Sequence, residues 1–500
     1  MLEIGPPYKI LKDLKTKKEG YWQQIREREI LKLFHSTSER VLAYKDFLKK
    51  HKIDPGKIKT LKDFELVPLI NKNNYLLAYP YGKLVWDSNI KKPITIHSTS
   101  GSTGEPTYFQ RELKFDLRRE IIIENFFRYN EITITGPTLL VIAFGMGVWS
   151  AGMGIYNASY LAININKFPI SIISPGVNKI EVLKILRKLA PNFKQVIIAG
   201  YPPLVKDVID DALYEGINIK KFDLRFIFTG ETFTEEFRNY LLDKVRIKNI
   251  LIDTMNTYGT SELGPVAVET PLTILVMKLA HTHQNIFRGL FGDIIKTPTL
   301  AQYIPYFINF ECVNRELFFT GDNTIPLVKY QSGDHGGILT FKQLKEILSE
   351  NGVNLEDEAK KLGISKYIYE LPLVFVYERK NLCATLYGIL IYPEFIKTAL
   401  FDKKLSRFLT SKFTMITKYD RKQNQYLEIN LELKKGVGFK KHYEKIALKR
   451  IVEVLKEKSS EFRELSDNLK ERTYPKLVFW LYEYPKYFTP GIKQNWVKKA

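Results

Sequence analysis

Ile94-Thr95-Ile96-His97-Ser98-Thr99-Ser100-Gly101-Ser102-Thr103-Gly104-Glu105-Pro106 is the stretch from which the rest of this chain is read. A short β pattern runs into hydroxyls interleaved with unhindered glycines. Glycine reaches backbone angles that L-residues avoid, so successive N–H groups can turn inward around one anion, and Ser100, Gly101, Ser102, Thr103 and Gly104 form the candidate phosphate cradle. A Walker loop needs G-x-x-x-x-G-K-[ST]; the lysine is missing, which disfavours an ordinary P-loop ATPase. Taken alone, a Ser/Thr/Gly segment is more often a solvated surface loop. What sets this one apart is the order of the motifs that follow it.

The loop resembles the phosphate loop of the adenylate-forming superfamily, whose pattern is close to S/T-S-G-T/S-T-G-x-P. More narrowly, the chain is similar to the phenylacetate–coenzyme A ligase family and its relatives in capsular polysaccharide loci, from about Tyr21 to the C-terminus. Roughly 155 residues after the loop, Asn256-Thr257-Tyr258-Gly259-Thr260-Ser261-Glu262-Leu263-Gly264-Pro265 resembles the family's Y-G-x-S/T-E-x-x-G-P. Each residue type has a use there. Tyr258 offers adenine a stacking face, Thr260 can donate to the α-phosphate, and Glu262 can hold Mg²⁺, a hard cation that prefers oxygen.

Further motifs extend the resemblance. Pro326-Leu327-Val328-Lys329-Tyr330-Gln331-Ser332-Gly333-Asp334 resembles P-L-I-R-Y-x-T-G-D, which implies that Asp334 accepts from both ribose hydroxyls. The turn Gly230-Glu231-Thr232 after the strand Leu224 to Thr229 corresponds to the one that meets the adenine edge through backbone groups. Phe144-Gly145-Met146-Gly147 and Gly152-Met153-Gly154 resemble an element near the acyl site, although close helix–strand packing explains such glycines equally well. Phe144, Gly145 and Tyr201 are candidate walls for an organic acid, with plain core packing as the alternative for the aromatics.

The resemblance further implies a C-terminal lid carrying a lysine just after a glycine. Lys493 is the candidate, with Lys486 as fallback, and Arg379 joins Thr260 and Lys493 as catalytic. The hinge phrase departs from the family: Glu378 replaces a glycine and Asn381 stands where an aspartate is usual. His281 and His283 do not suggest zinc, because Glu269-Thr270 stands where Glu-Cys would be expected and a structural site wants four good ligands.

At 500 residues the chain exceeds a single core, and its hydrophobic share of 45% is that of a globular protein. The net charge of +21, from 76 Lys+Arg against 55 Asp+Glu, suits ATP and coenzyme A as well as nucleic acid; with no basic tail or aromatic ribonucleoprotein motif, nucleic acid is the minor alternative. Two cysteines and no secretory signal at Met1-Leu2-Glu3 lead to a cytoplasmic expectation. The uncharged run 136–166 is long enough to span a bilayer, but Pro137 and its glycines punctuate it into strand, turn and helix.

The expected fold is α/β: residues 1–378 as a large, multi-subdomain adenylate-forming (AMP-binding) domain with mostly parallel sheets, and 379–500 as a small α+β lid. A Lys/Glu-rich stretch from Phe341 to Leu362 reads as a solvated insertion. The expected activity is ATP- and Mg²⁺-dependent adenylation of a small carboxylic acid, followed by acyl transfer to a thiol, with coenzyme A as acceptor. The alternatives are a non-CoA acceptor such as a carrier protein, or a non-catalytic basic nucleic-acid-binding protein.

Overall fold

The computed structural model describes residues 7–91, 95–98, 108–294, 297–379, 383–488 and 496–498, without the side chains of residues 7, 378, 379 and 411. Ser100, Gly101, Ser102, Thr103, Gly104, Asn381 and Lys493, with the side chains of Glu378 and Arg379, therefore lie outside the described residues.

The chain opens with the helices Pro7–Thr16, Glu19–Arg40 and Leu42–Lys50 and enters the hairpin β1 (Thr95–Ser98) and β2 (Tyr108–Arg111). Next come β3 (Thr138–Ala143), β4 (Ile170–Ile173), β5 (Gln195–Gly200), β6 (Asp223–Thr229) and β7 (Thr254–Thr260), with helices between them. β8 (Gly264–Val268), β9 (Thr299–Gln302), β10 (Ile308–Val313), β11 (Glu316–Gly321), β12 (Leu327–Leu339) and β13 (Leu373–Arg379) complete one sheet, in the order β10-β11-β12-β13-β9-β8-β7-β6-β5-β3-β4.

The α/β expectation holds, with a division inside the sheet. From β4 to β7 every pairing is parallel; from β7 to β10 every pairing is antiparallel. The parallel half is legible in its residues. Leu139, Val141, Val196, Ile198, Phe226 and Phe228 face one core, while Leu140, Ile142, Ile197, Ala199 and Ile227 face the other, which is what a strand covered by helices on both sides requires. The run 136–166 is β3 followed by the helix Ser150–Asn166, and among the described residues no helix is long and apolar enough to cross a membrane.

The hairpin of β10 and β11 turns through Asn314 and Arg315, both at positive φ (51° and 65°), the two-residue turn whose twist matches its strands. The stretch read as a solvated insertion is instead attached. Its helices Phe341–Glu350 and Leu355–Lys361 bury Phe341, Leu344, Leu348, Leu355 and Ala359 in the core on one face of the sheet. Leu344 and Leu348 are four residues apart and share a helix face, so the charges that dominate the composition form only the outer side.

Beyond β13 lie the small hairpin β14 (Ala384–Leu386) and β15 (Ile389–Ile391), then a separate sheet of β16 (Leu409–Tyr419), β17 (Gln425–Leu433) and β18 (Lys476–Trp480). The helices Pro393–Leu400, Lys441–Lys458 and Ser460–Leu469 cover this sheet. Polar contacts tie it to the helix Pro202–Tyr214. Asp207, 2% exposed, accepts from Tyr387 Oη at 2.7 Å and pairs with the Arg472 guanidinium, whose pKa that pairing raises.

Candidate active site

The carboxyl ends of β3, β5, β6 and β7 stand side by side: Ala143 beside Gly200, Gly200 beside Phe228, and Thr229 beside Thr257. In open α/β sheets this edge is where ligands bind, because the strands deliver their loops there together. It gathers Phe144-Gly145, Tyr201, Gly230-Glu231-Thr232 and Tyr258-Gly259-Thr260, which the sequence scatters over more than a hundred residues.

Asp334 reaches this edge from the antiparallel half. The hydroxyl of Tyr258 donates to its Oδ2 at 2.6 Å and that of Ser332 at 2.7 Å. Gly333 (φ +82°) makes the turn that lets residues 332 and 334 meet in this way. Tyr258 is half-buried and lies near Phe310, at 6.3 Å between ring centroids with the ring planes 30° apart.

After β7 the chain doubles back through Ser261-Glu262-Leu263, and the Thr260 hydroxyl caps this turn by accepting from the Leu263 amide at 3.1 Å. Glu262 is 8% exposed; its Oε1 accepts from Tyr330 at 3.0 Å, and its backbone carbonyl accepts from Asn323 at 2.7 Å. No cluster of three His, Cys, Asp or Glu at metal-holding spacing exists among the described residues. Glu262 therefore fits Mg²⁺ only as a single carboxylate that shares the ion with phosphate oxygens and water, the usual arrangement for this cation.

Glu231, a candidate through its backbone, sends its side chain where the sequence did not foreshadow. Its backbone carbonyl accepts from Asn256 at 3.3 Å, while its carboxylate turns to the C-terminal region. There it accepts from the amide of Gly388, from Gln425 at 2.6 Å and from Tyr419 at 3.3 Å. Burial raises its pKa to about 7 against the opposing effect of these donors. Tyr201 lies between Gly230 and Gly388. A Cβ at position 388 would sit 2.3 Å from the ring, so only glycine fits there.

A cavity of about 180 Å³ adjoins these residues, bounded by Tyr201, Trp149, Ile155, Arg119, Thr260 and Gly388 among others. Of the three acyl-pocket candidates, Tyr201 alone lines it. Phe144, fully buried, stands edge-on behind Tyr201 at 4.9 Å because strand alternation turns it into the core. Gly145 acts by its smallness: a Cβ there would fall 2.9 Å from the ring of Trp149, a wall the sequence did not single out. Glu461 lines the cavity from the helix Ser460–Leu469, its pKa raised to about 7 by burial and then by Glu464, and Glu464 accepts from Trp149 Nε1 at 3.2 Å. A larger cavity of about 500 Å³, by His281 and Arg288, holds none of the nucleotide-motif residues.

Arg119 was equally unannounced, because Asp116 and Arg119 read as an ordinary i, i+3 pair on a helix surface. The helix Leu113–Phe127 is instead buried, and Arg119 is 5% exposed. The fallback lysine, Lys486, carries its ammonium 5.4 Å from the Tyr487 ring and 5.7 Å from that of Trp480.

No family model matches the chain. Among curated proteins it is 23% identical over 259 residues to a phenylacetate-coenzyme A ligase of Thermus thermophilus, covering 51% of this chain and 53% of the relative. It is 25% identical over 305 residues to another from Aromatoleum evansii, covering 59% of this chain and 62% of that one. The chain thus matches little more than half the length of these relatives. Among solved structures, 2-hydroxyisobutyryl-CoA ligase with 2-HIB-AMP and CoA in the thioesterification state superposes with a TM-score of 0.64 at 14% identity, over 100% of this chain and 94% of that one. The same ligase in the postadenylation state with R3-HIB-AMP gives 0.54 at 14% identity, over 98% and 92%. The resemblance to phenylacetate–coenzyme A ligases is thus present in sequence over half of the chain, and the fold of a CoA ligase over all of it.

Proposed function

We propose that this protein is an AMP-forming acid–thiol ligase that activates a small carboxylic acid with ATP and passes the acyl group to coenzyme A. The observation that carries this reading is the meeting of Tyr258 and Asp334 at 2.6 Å, beside Thr260 and next to a half-apolar cavity, at the carboxyl edge of the parallel strands. An aromatic face, a charged acceptor and a hydroxyl donor are what adenine, ribose and α-phosphate require, and the cavity beside Thr260 accommodates the acid.

In the first step a carboxylate oxygen of the acid attacks the α-phosphorus, the bond to the β-phosphate oxygen breaks, and pyrophosphate leaves with its electron pair. In the second step a thiolate attacks the acyl carbon and AMP departs, giving the thioester. Asp334 holds the ribose, Tyr258 orients Asp334 and adenine, and Thr260 donates to the α-phosphoryl oxygens. Ser100, Gly101, Ser102, Thr103 and Gly104 are assigned to the phosphates on their sequence motif alone. Glu262 would hold Mg²⁺, which supplies charge neutralisation on the phosphates. Lys493 and Arg379 belong to a lid, residues 379–500, that adds positive charge where the transition state gathers negative charge. Tyr201 and Trp149 keep water from the mixed anhydride.

The test is a pyrophosphate-release screen over aryl, fatty and hydroxy acids, with and without coenzyme A. AMP and thioester formed together with one class of acid support the reading. Pyrophosphate without thioester would assign another acceptor, such as a carrier protein. Duplex or RNA binding with steep salt dependence and no pyrophosphate from any acid would replace the reading altogether.

A further inference from the structure

Arg119 is a charged side chain inside the wall of the acyl cavity with hydrogen-bonding capacity left over. Its Nη2 donates to Ser150 Oγ at 3.1 Å, while Nε and Nη1 have no hydrogen-bond partner among the described residues. The nearest carboxylate, Asp116 Oδ1, stands 3.8 Å from Nη1, beyond hydrogen-bond reach, and Asp116 Oδ2 is already taken by Asn157 at 3.2 Å. Burial lowers the pKa of Arg119 to about 10 and raises that of Asp116, so the pair is poorly solvated on both sides.

The surroundings keep a slot open for this guanidinium. A Cβ on Gly154 would lie 2.3 Å from Nη1, and one on Gly264 2.5 Å from Nη2. Phe115 lies between Arg119 and Arg111, at 4.2 and 4.6 Å from its ring centroid, so a second buried cation stands behind the first. Across Ser150, His97 has its Nδ1 3.4 Å from the serine oxygen and its Nε2 unpartnered among the described residues. Burial, then Arg119 and Arg111, lowers its pKa to about 3, which leaves it neutral. A buried arginine with two unmade hydrogen bonds is costly unless something else completes it. The cavity is lined by the apolar Ile122, Ile155 and Ala158 and by the polar Ser98, Ser261 and Glu461.

We propose that the acid this site activates carries a second carboxylate on a short apolar body, and that Arg119, backed by Ser150, binds that second carboxylate. Arg119 is thus the residue that sets substrate class, by forming charge-assisted hydrogen bonds that a monocarboxylic acid leaves unmade. This inference rests on the adenylation reading above, because it takes the cavity beside Thr260 as the acyl site.

The experiment compares length-matched acids on the full-length chain: butyrate with succinate, pentanoate with glutarate, phenylacetate with 4-carboxyphenylacetate. ATP–pyrophosphate exchange gives kcat/KM for each, and calorimetry gives glutarate and pentanoate binding in the presence of AMP. Expected is a preference of about tenfold or more for the diacid in each productive pair, which falls toward unity in Arg119→Met and is partly restored in Arg119→Lys. An unchanged ratio in folded Arg119→Met overturns the inference while leaving the adenylation reading intact. A uniform loss on both acids with a raised KM for ATP would give the guanidinium to the phosphates and also overturn it. Arg119-dependent glutarate binding with no exchange for any acid would keep the diacid site and refute adenylation. No exchange and no diacid binding would refute both.

Discussion

Asp334→Ala is the perturbation with the most directly derived consequence. Its carboxylate takes the hydroxyls of Tyr258 and Ser332 on one oxygen, an arrangement that fixes its orientation in the absence of nucleotide. Both donors are half-buried and can turn to water, so the substitution should cost the fold only about 1 kcal/mol. Nucleotide binding should lose more. Hydrogen bonds from ribose to a charged acceptor contribute about 1.5–3 kcal/mol, which corresponds to a weakening of ATP by roughly 10- to 150-fold. Calorimetric titration of ATP and 2′-deoxy-ATP into both proteins separates the terms. The wild type should bind the deoxy nucleotide more weakly than ATP, whereas Asp334→Ala should scarcely distinguish the two. Unchanged ATP affinity in a variant that melts normally, or an undiminished preference for the ribose hydroxyl, would remove Asp334 from the site and with it the main support for the adenylation reading.

Glu262→Gln keeps an acceptor for Tyr330 and should melt like the wild type, but a neutral amide is a poorer ligand for a hard dication; its Mg²⁺ titration of pyrophosphate release should shift to higher concentration, and superimposable titrations would exclude Glu262 as ligand. Lys493→Ala should slow adenylation by ~10²–10³ while a pre-made acyl-adenylate still transfers to thiol at near the wild-type rate; equal losses in both half-reactions would give Lys493 another role, and no loss would move attention to Lys486. Glu231, an acid whose folded pKa is raised to about 7, binds its proton more tightly in the folded protein, so the folded state loses stability as pH rises from about 4.5 to 7 and holds level above. Unfolding free energies of wild type and Glu231→Gln from urea titrations between pH 5 and 8 should therefore diverge in the variant's favour by roughly 1–3 kcal/mol, and parallel curves would place Glu231 in water. Arg472→Ala should cost about 1–2 kcal/mol, because Asp207 loses the half-exposed guanidinium but keeps the Tyr387 hydroxyl; urea unfolding measures this, and no change would show the pair to be solvated.

Most elements were legible because their signals are local. β3 lies where its apolar run begins and ends, and Thr234 caps the helix Glu235–Lys244 as its position before an acidic first turn announces. Tyr258, Thr260, Glu262 and Asp334 could be named as candidates because a motif carries its residues together. The remainder depends on contacts that no local pattern records. β16 and the helix Ser460–Leu469 interleave polar and apolar residues, and their core faces appear only against β17 and Lys441–Lys458. The helices Pro271–Thr282 and Gln284–Phe291 resisted reading because the first is apolar nearly all round, which is the mark of a buried helix and gives no amphipathic phase. Arg119 was invisible as a site residue, and so was the burial of the Glu231 carboxylate, for the same reason: a charged side chain on a helix or in a turn reads as solvated until the partner that buries it is known.

The Asp207, Tyr387 and Arg472 contact acts as a clasp. Any swing that parts the helix Pro202–Tyr214 from the C-terminal sheet must first rehydrate a carboxylate that is 2% exposed, although its partner Arg472, 40% exposed, leaves the pair open to some screening by salt. The barrier to release is then mainly one of unclasping. A catalytic cycle that requires the swing would be paced by it, with turnover steep in temperature, somewhat faster as ionic strength rises, and fastest in variants that loosen the clasp at the expense of resting stability.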